Sequence, residues 1–153
     1  MEIIPYHSTY QDQLIQLILG IQKKEFAIAI TLEEQPDLLH IAEYYAGFWL
    51  AVKDGQVLGC IGLIALKNGK AALKKMFVRE DYRKHGLGRL LVNQLVTACE
   101  QKGFREIFLG TTQVFVSAQH FYQNYGFEKI NKIDLPDDFP LLEVDDTFYR
   151  FRV

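Results

Sequence analysis

Cysteine is scarce in this chain. There are two in 153 residues, Cys60 and Cys99, 39 positions apart and each inside an apolar segment. That spacing supplies no metal-ligand set, so no metal is expected, and buried, reduced thiols are the plain reading. Long apolar runs are lacking too. The longest uncharged one, Val57 to Leu66, is about half of what crosses a bilayer. The start of the chain does not have the basic and then apolar layout of an export leader. A soluble, cytoplasmic protein with no membrane partner is the expectation. Charge of one sign is also missing. With 17 Lys and Arg against 19 Asp and Glu, the net charge is -2, too little for a global field that would hold nucleic acid. Any anion site must be local. Repeats, low-complexity tracts and linkers are not found.

What is present suits one domain over residues 1–153: 49% apolar and 24% charged residues, enough for a hydrophobic core. Glu2 to Tyr6 reads as a strand. Ser8-Thr9-Tyr10-Gln11 has the form of a capping box, and Leu14, Leu17, Ile18 and Ile21 fall on one helical face behind it. A second helix is predicted from Pro36, with Leu38, Ile41, Ala42 and Tyr45 inward and Gly47 as its stop. Asp54-Gly55 and Asn68-Gly69 then join three strands, Trp49–Lys53, Gln56–Leu66 and Lys70–Val78, into an antiparallel meander. A helix carrying Leu87, Leu91, Leu95 and Ala98 follows and stops at Lys102-Gly103. The strand Glu106–Thr111 completes a right-handed βαβ crossover. A helix over Ser117–Tyr125, a strand over Phe127–Ile130, a loop from Asn131 and a final strand Thr147–Val153 end the chain.

Two motifs carry chemistry. The first is Arg83-x-x-Gly86-x-Gly88, between an apolar strand and a helix. Backbone amides and the macrodipole at a helix start attract an anion, and glycines let a phosphate come close. Arg83, Lys84 and Arg89 add full positive charge, and His85 could add some. It is neither a P-loop, since no Gly-Lys-Ser/Thr follows, nor a dinucleotide fingerprint, since it follows an antiparallel meander. Alone it could also be an ordinary strand-to-helix turn with solvated cations. The second motif is Phe121-Tyr122-Gln123-Asn124-Tyr125-Gly126-Phe127, which alone reads as a helix end with Tyr122 in the core.

Together, in this order and about 35 residues apart, the motifs and their flanking elements resemble the GCN5-related N-acetyltransferase (GNAT) superfamily over essentially the whole chain. The resemblance implies an α/β (α+β) fold. It would have a mixed, mostly antiparallel sheet with a central βαβ crossover and helices on both faces, splayed open to take acetyl-CoA as cosubstrate. Carried over by position, Met76, Phe77 and Val78 would meet the pantetheine arm and the acyl group. Arg83, Lys84, His85, Gly86, Leu87, Gly88 and Arg89 would hold the pyrophosphate, and Tyr122 would stand near the coenzyme sulfur.

The implied reaction is direct attack of a primary amine on the thioester. A backbone N–H near Phe77 or Val78 would stabilise the oxyanion. Tyr122, with a reference pKa of about 10, could protonate a thiolate of about 8.5. The acceptor amine, at about 10.4, must lose a proton. Many relatives carry a glutamate for this on the strand before the turn, whereas this strand begins Ala71-Ala72-Leu73. Glu33 and Glu34 are the substitutes singled out. Many relatives also have an asparagine seven residues before the tyrosine, where this chain has Phe115. Thr111, Thr112 or Ser117 could replace it. Trp49, Tyr44 and Tyr45 could line an acceptor pocket or pack in the core. Acidic residues at 33, 34 and 37 and from Asp134 to Asp146 form either a rim that draws a cationic amine or plain solvated loops. The acceptor could be a small molecule or a protein amine. A catalytically silent acyl-CoA-binding sensor or regulatory module is the alternative. By analogy with relatives, the aromatic strand Thr147–Val153 could pair across a homodimer.

Overall fold

The computed structural model describes residues 1–25, 31–113 and 115–153. Seven strands follow the hydrogen-bonded order β1-β2-β3-β4-β5-β7-β6. They are β1 (Glu2–Pro5), β2 (Gly47–Lys53), β3 (Gln56–Ala65), β4 (Lys70–Val78), β5 (Glu106–Thr111), β6 (Glu128–Ile130) and β7 (Thr147–Arg152). The helices are α1 (Gln11–Glu25), α2 (Ile41–Tyr44), α3 (Leu87–Lys102) and α4 (Val116–Tyr125). The sheet is mixed and mostly antiparallel, as the resemblance implied. The chain divides into two compact units, Met1–Leu63 with Lys74–Leu95, and Ile64–Leu73 with Val96–Val153.

In the first unit β1 pairs antiparallel with β2, and β2 with β3. The β2–β3 turn has both central residues left-handed, Asp54 at φ 51° and Gly55 at φ 77°, which is why an Asp-Gly pair is needed there. The Gln13 side chain fastens α1 to this turn. Its amide donates to the Gly55 carbonyl and its carbonyl accepts from the Val57 N–H, each at 3.0 Å. Leu14, Ile18 and Ile21 are buried, as the helical spacing predicts.

Three local expectations are corrected. The capping box at Ser8–Gln11 does not form. Residues 8–10 make a 3₁₀ turn instead, and His7 is its cap, with Nδ1 accepting from the Thr9 N–H at 3.1 Å. The second helix is broken into a 3₁₀ turn, Pro36–Leu39, and the four-residue α2, because His40 between them leaves the helical region at φ −139°. Gly47 does not stop a helix; it opens β2. A Cβ there would stand 2.4 Å from the Trp49 ring, so glycine makes room for the indole.

In the second unit Lys70, Ala71 and Ala72 of β4 run parallel to Glu106, Ile107 and Phe108 of β5. Ala72, Phe108 and Phe139 form its core, with Ile64, Leu66, Ile130 and Leu135 packed against them. Asn68 (φ 61°) and Gly69 (φ 71°) make the predicted turn into β4. The crossover helix α3, which belongs to the first unit as far as Leu95, buries Leu87, Leu91, Val92, Leu95 and Ala98 and ends at the left-handed Gly103. The expected interface strand is used within the chain: β7 is flanked by β5 on one side and β6 on the other. The loop after β6 contains one 3₁₀ turn, Lys132–Asp134, closed by a reciprocal Asn131–Asp134 cap.

Among the described residues no helix is long and apolar enough to cross a membrane, and no cluster of potential metal ligands occurs. Cys60 and Cys99 are both free and buried. Burial is the main cause that pushes each thiol up to about 12. At pH 8 the thiolate fraction is then about one in ten thousand. A thiol-disulfide reagent at that pH should leave both unmodified in the native protein and titrate two per chain after unfolding in urea. Rapid modification of the native chain contradicts this packing.

Candidate functional site

In the first unit the end of β4 leads through a short turn into α3. Glu80–Tyr82 form a 3₁₀ turn, Lys84 is left-handed at φ 66° and Gly86 at φ 77°. The two left-handed residues curl the chain so that α3 starts at Leu87, whose side chain is buried. The Leu90 N–H closes the first helical bond onto the Gly86 carbonyl at 3.1 Å. The amides of Leu87 and Gly88 precede that bond, at the N-terminal end of the helix. Lys84, His85, Gly86 and Arg89 are exposed beside them, and Gly88 is half-buried. A Cβ built at Gly86 meets nothing within 4 Å, so the turn is open on that side.

Arg83 has a second duty. Its Nε donates to the Val78 carbonyl at 2.9 Å and ties the turn to the end of β4. Arg79 does not face the turn in this way: it forms a two-point pair with Asp81, both contacts at 2.7 Å, and its guanidinium lies 5.1 Å from the Tyr82 ring centre. Its N–H donates to the Leu58 carbonyl at 2.8 Å, which continues the β3–β4 pairing. β3 comes close at this level: a Cβ on Gly59 would stand 3.0 Å from the Phe77 carbonyl oxygen.

Within β4, Lys75 is left-handed at φ 54°, a conformation that costs a non-glycine residue about 1–2 kcal/mol. Its side chain is only 14% exposed. The ammonium donates to Gln35 Oε1 and lies 3.9 Å from Asp37 Oδ2. Burial lowers its pKa, against the opposing pull of Asp37 and Cys60. Sequence reasoning passed over Lys75. It placed Glu33 and Glu34 in this region, and both are exposed on a turn, where Glu34 Oε1 accepts from the Thr31 hydroxyl at 3.2 Å. Trp49 and Tyr45 are buried and Tyr44 is exposed.

In the second unit Tyr122, at 8% exposure, sits on α4 among Phe121, Phe127 and Tyr149, with ring centres 5.4, 5.5 and 6.2 Å away. Its carbonyl accepts from the N–H groups of Gly126 and Phe127, and the left-handed Gly126 (φ 123°) makes that return possible. Burial raises the pKa of its hydroxyl, because it disfavours the ionised form. Ser117 lies exposed in the first turn of α4. The Thr112 hydroxyl is buried and lacks a hydrogen-bond partner among the described residues. Thr111 sits half-buried at the end of β5, opposite Thr147 of β7.

The acidic residues beyond α4 mostly bind backbone. Asp134 accepts from Asn131 at 3.1 Å, Asp138 from Lys67 at 2.9 Å, Asp145 from Leu142 at 3.2 Å and Asp146 from Gln113 at 2.8 Å. They shape loops by accepting N–H groups, a role their clustering in the sequence does not reveal.

A mixed sheet with β4 and β5 parallel, joined through a basic turn and the helix α3, is the frame of this chain. Residues 15–127 match the acetyltransferase (GNAT) family, and the chain belongs to that family. It is similar to an acetyltransferase of the GNAT family from Staphylococcus aureus Mu50, at 44% identity and TM-score 0.95, over 99% of this chain and 98% of that one. It is 30% identical to rat N-acetyltransferase family 8 member 3 over 95 residues, 59% of this chain and 42% of the relative. It spans between 42 and 59% of the length of the first curated relatives it matches. PaiA N-acetyltransferase from Thermoplasma acidophilum, solved in complex with coenzyme A, shares the fold at 16% identity, with TM-score 0.75 and the whole of both chains covered.

Replacing Gly86 by alanine forces a Cβ into a left-handed residue. A loss of about 1–2 kcal/mol, and hence a Tm lower by roughly 2–8 °C in a thermal melt, is the expected outcome. An unchanged Tm contradicts the strained turn.

Proposed function

We propose that this chain is an acetyl-CoA-dependent N-acetyltransferase that transfers an acetyl group to a primary amine by direct attack. The observation that carries the reading is the run from β4 through Arg83-x-x-Gly86-x-Gly88 into α3, with its exposed cations and first-turn amides, on a chain of this family. Lys84 and Arg89 supply charge to the pyrophosphate, with His85 beside them, and the amides of Leu87 and Gly88 supply hydrogen bonds. Met76 and Val78 offer backbone groups to the pantetheine arm. The N–H of Phe77 or Val78 takes the developing oxyanion, and Tyr122 gives its proton to the leaving thiolate. Ser117 is assigned a polar contact to the coenzyme.

The acceptor's proton goes to Glu33 or Glu34, directly or through water. Where many relatives carry a strand glutamate, β4 of this chain begins with Ala71, Ala72 and Leu73, all buried. That substitution also motivates the second reading, a silent acyl-CoA binder. Screening small amines, amino acids and peptides with acetyl-CoA, with CoA release and acetylated product as readouts, separates the two. Tight CoA binding without product on any acceptor supports the silent binder.

In an active enzyme Tyr122→Phe should lower kcat by about ten- to a hundredfold and leave the Kd for CoA nearly unchanged. An unchanged kcat removes Tyr122 from the acid role. The pH profile carries a second expectation. Activity rises with pH as the acceptor amine loses its proton, and the alkaline fall, where Tyr122 ionises, is displaced above the ordinary tyrosine value of about 10 because burial favours its neutral form. A fall centred near pH 8 contradicts this.

A further inference from the structure

Both ends of Lys75 are held. Its carbonyl accepts from the Cys60 Sγ–H of β3 at 3.1 Å. Its ammonium donates to Gln35 Oε1 and faces the Asp37 carboxylate at 3.9 Å. Neither partner is loose. Gln35 exchanges two amide hydrogen bonds with Gln22 of α1, at 3.0 and 2.8 Å, and both glutamines are buried. Asp37 accepts the Tyr45 hydroxyl at 2.5 Å. One polar chain thus runs from α1 through the 3₁₀ turn at Pro36–Leu39 to β4 and on to β3. Buried side-chain networks of this kind hold when complete and fail when one member is removed.

This network ends on the one left-handed residue inside β4. Such a conformation persists in a non-glycine residue only where the surroundings over-determine it. The next residues are Met76, Phe77 and Val78, and beyond them Arg83 holds the Val78 carbonyl at 2.9 Å. The strand edge assigned to the acyl donor is therefore anchored at both ends, at position 75 and at position 78. We propose that Lys75 is the positioning residue of this edge: the Cys60 thiol on its carbonyl and the Gln35–Asp37 pair on its ammonium hold the left-handed turn that aims the backbone of Met76 to Val78 at the acyl donor. Lys75 acts through the backbone and takes no part in bond making. The proposal rests on the acetyl-CoA reading above.

The test is Lys75→Met, Lys75→Arg and Asp37→Asn, each measured for Tm, for CoA affinity by calorimetry and for kcat and KM with an acceptor found in the amine screen. Methionine keeps an unbranched stem and removes the charge; arginine keeps a cation that can reach Gln35 and Asp37. Lys75→Met should lower kcat for acetyl transfer about tenfold and weaken CoA binding several-fold. Lys75→Arg should recover most of both. Asp37→Asn, which changes a single atom group at the far end of the network, should shift kcat in the same direction without abolishing folding. If Lys75→Met and Asp37→Asn lower only Tm, and kcat and CoA affinity per folded chain match wild type, Lys75 is structural and the proposal fails. If wild type itself binds no CoA, the donor reading fails, and the positioning role falls with it.

Discussion

β4 changes its use along its length. Lys70 to Ala72 pair with β5, and the stretch from Met76 to Val78 is the one that the acetyl-CoA reading assigns to a ligand. Lys75 stands between the two stretches with its φ at 54°. A residue with a Cβ does not take that conformation without compensation, and the compensation is visible: a thiol on the carbonyl, an amide oxygen on the ammonium, a carboxylate nearby. Most of what distinguishes the first unit supports this point. α1 contributes Gln22, the broken second helix contributes Gln35 and Asp37, β3 contributes Cys60, and the turn after β4 sends Arg83 back to Val78.

The turn, too, is closed by its own groups. Arg79 is occupied by Asp81, Arg83 by the Val78 carbonyl, and Leu87 anchors the helix start in the core, while Lys84, His85 and Arg89 stay exposed. In the second unit burial does different work on Tyr122. It penalises the ionised form and raises the pKa of the hydroxyl.

The parts of this structure that were legible in the sequence rest on local rules. Asp54-Gly55 and Asn68-Gly69 demanded left-handed pairs, and have them. Leu87, Leu91, Leu95 and Ala98 marked the buried stripe of α3, and Gly103 and Gly126 marked helix ends. The glycines at 86 and 88 pointed to the turn. What was not legible depends on contacts distant in sequence. Lys75 meets Gln35 across 40 residues, and Cys60 meets Lys75 across 15. Ser8–Gln11 matched a capping pattern, yet His7 reached the amide first. The acids from Asp134 to Asp146 looked like a charged rim because their backbone partners cannot be seen from composition. One clue to Lys75 was available: Lys74 and Lys75 interrupt an otherwise apolar run from Ala71 to Val78.

The account stands or falls on where a coenzyme touches the chain. Amide hydrogen exchange, measured with and without CoA, reads this directly. The N–H groups of Met76 to Val78 and of Leu87 to Arg89 should slow together on addition of CoA, with no comparable change in β1 or α1. Protection confined to other elements, or none at saturating CoA, contradicts the assignment of this strand, turn and helix start as the donor site.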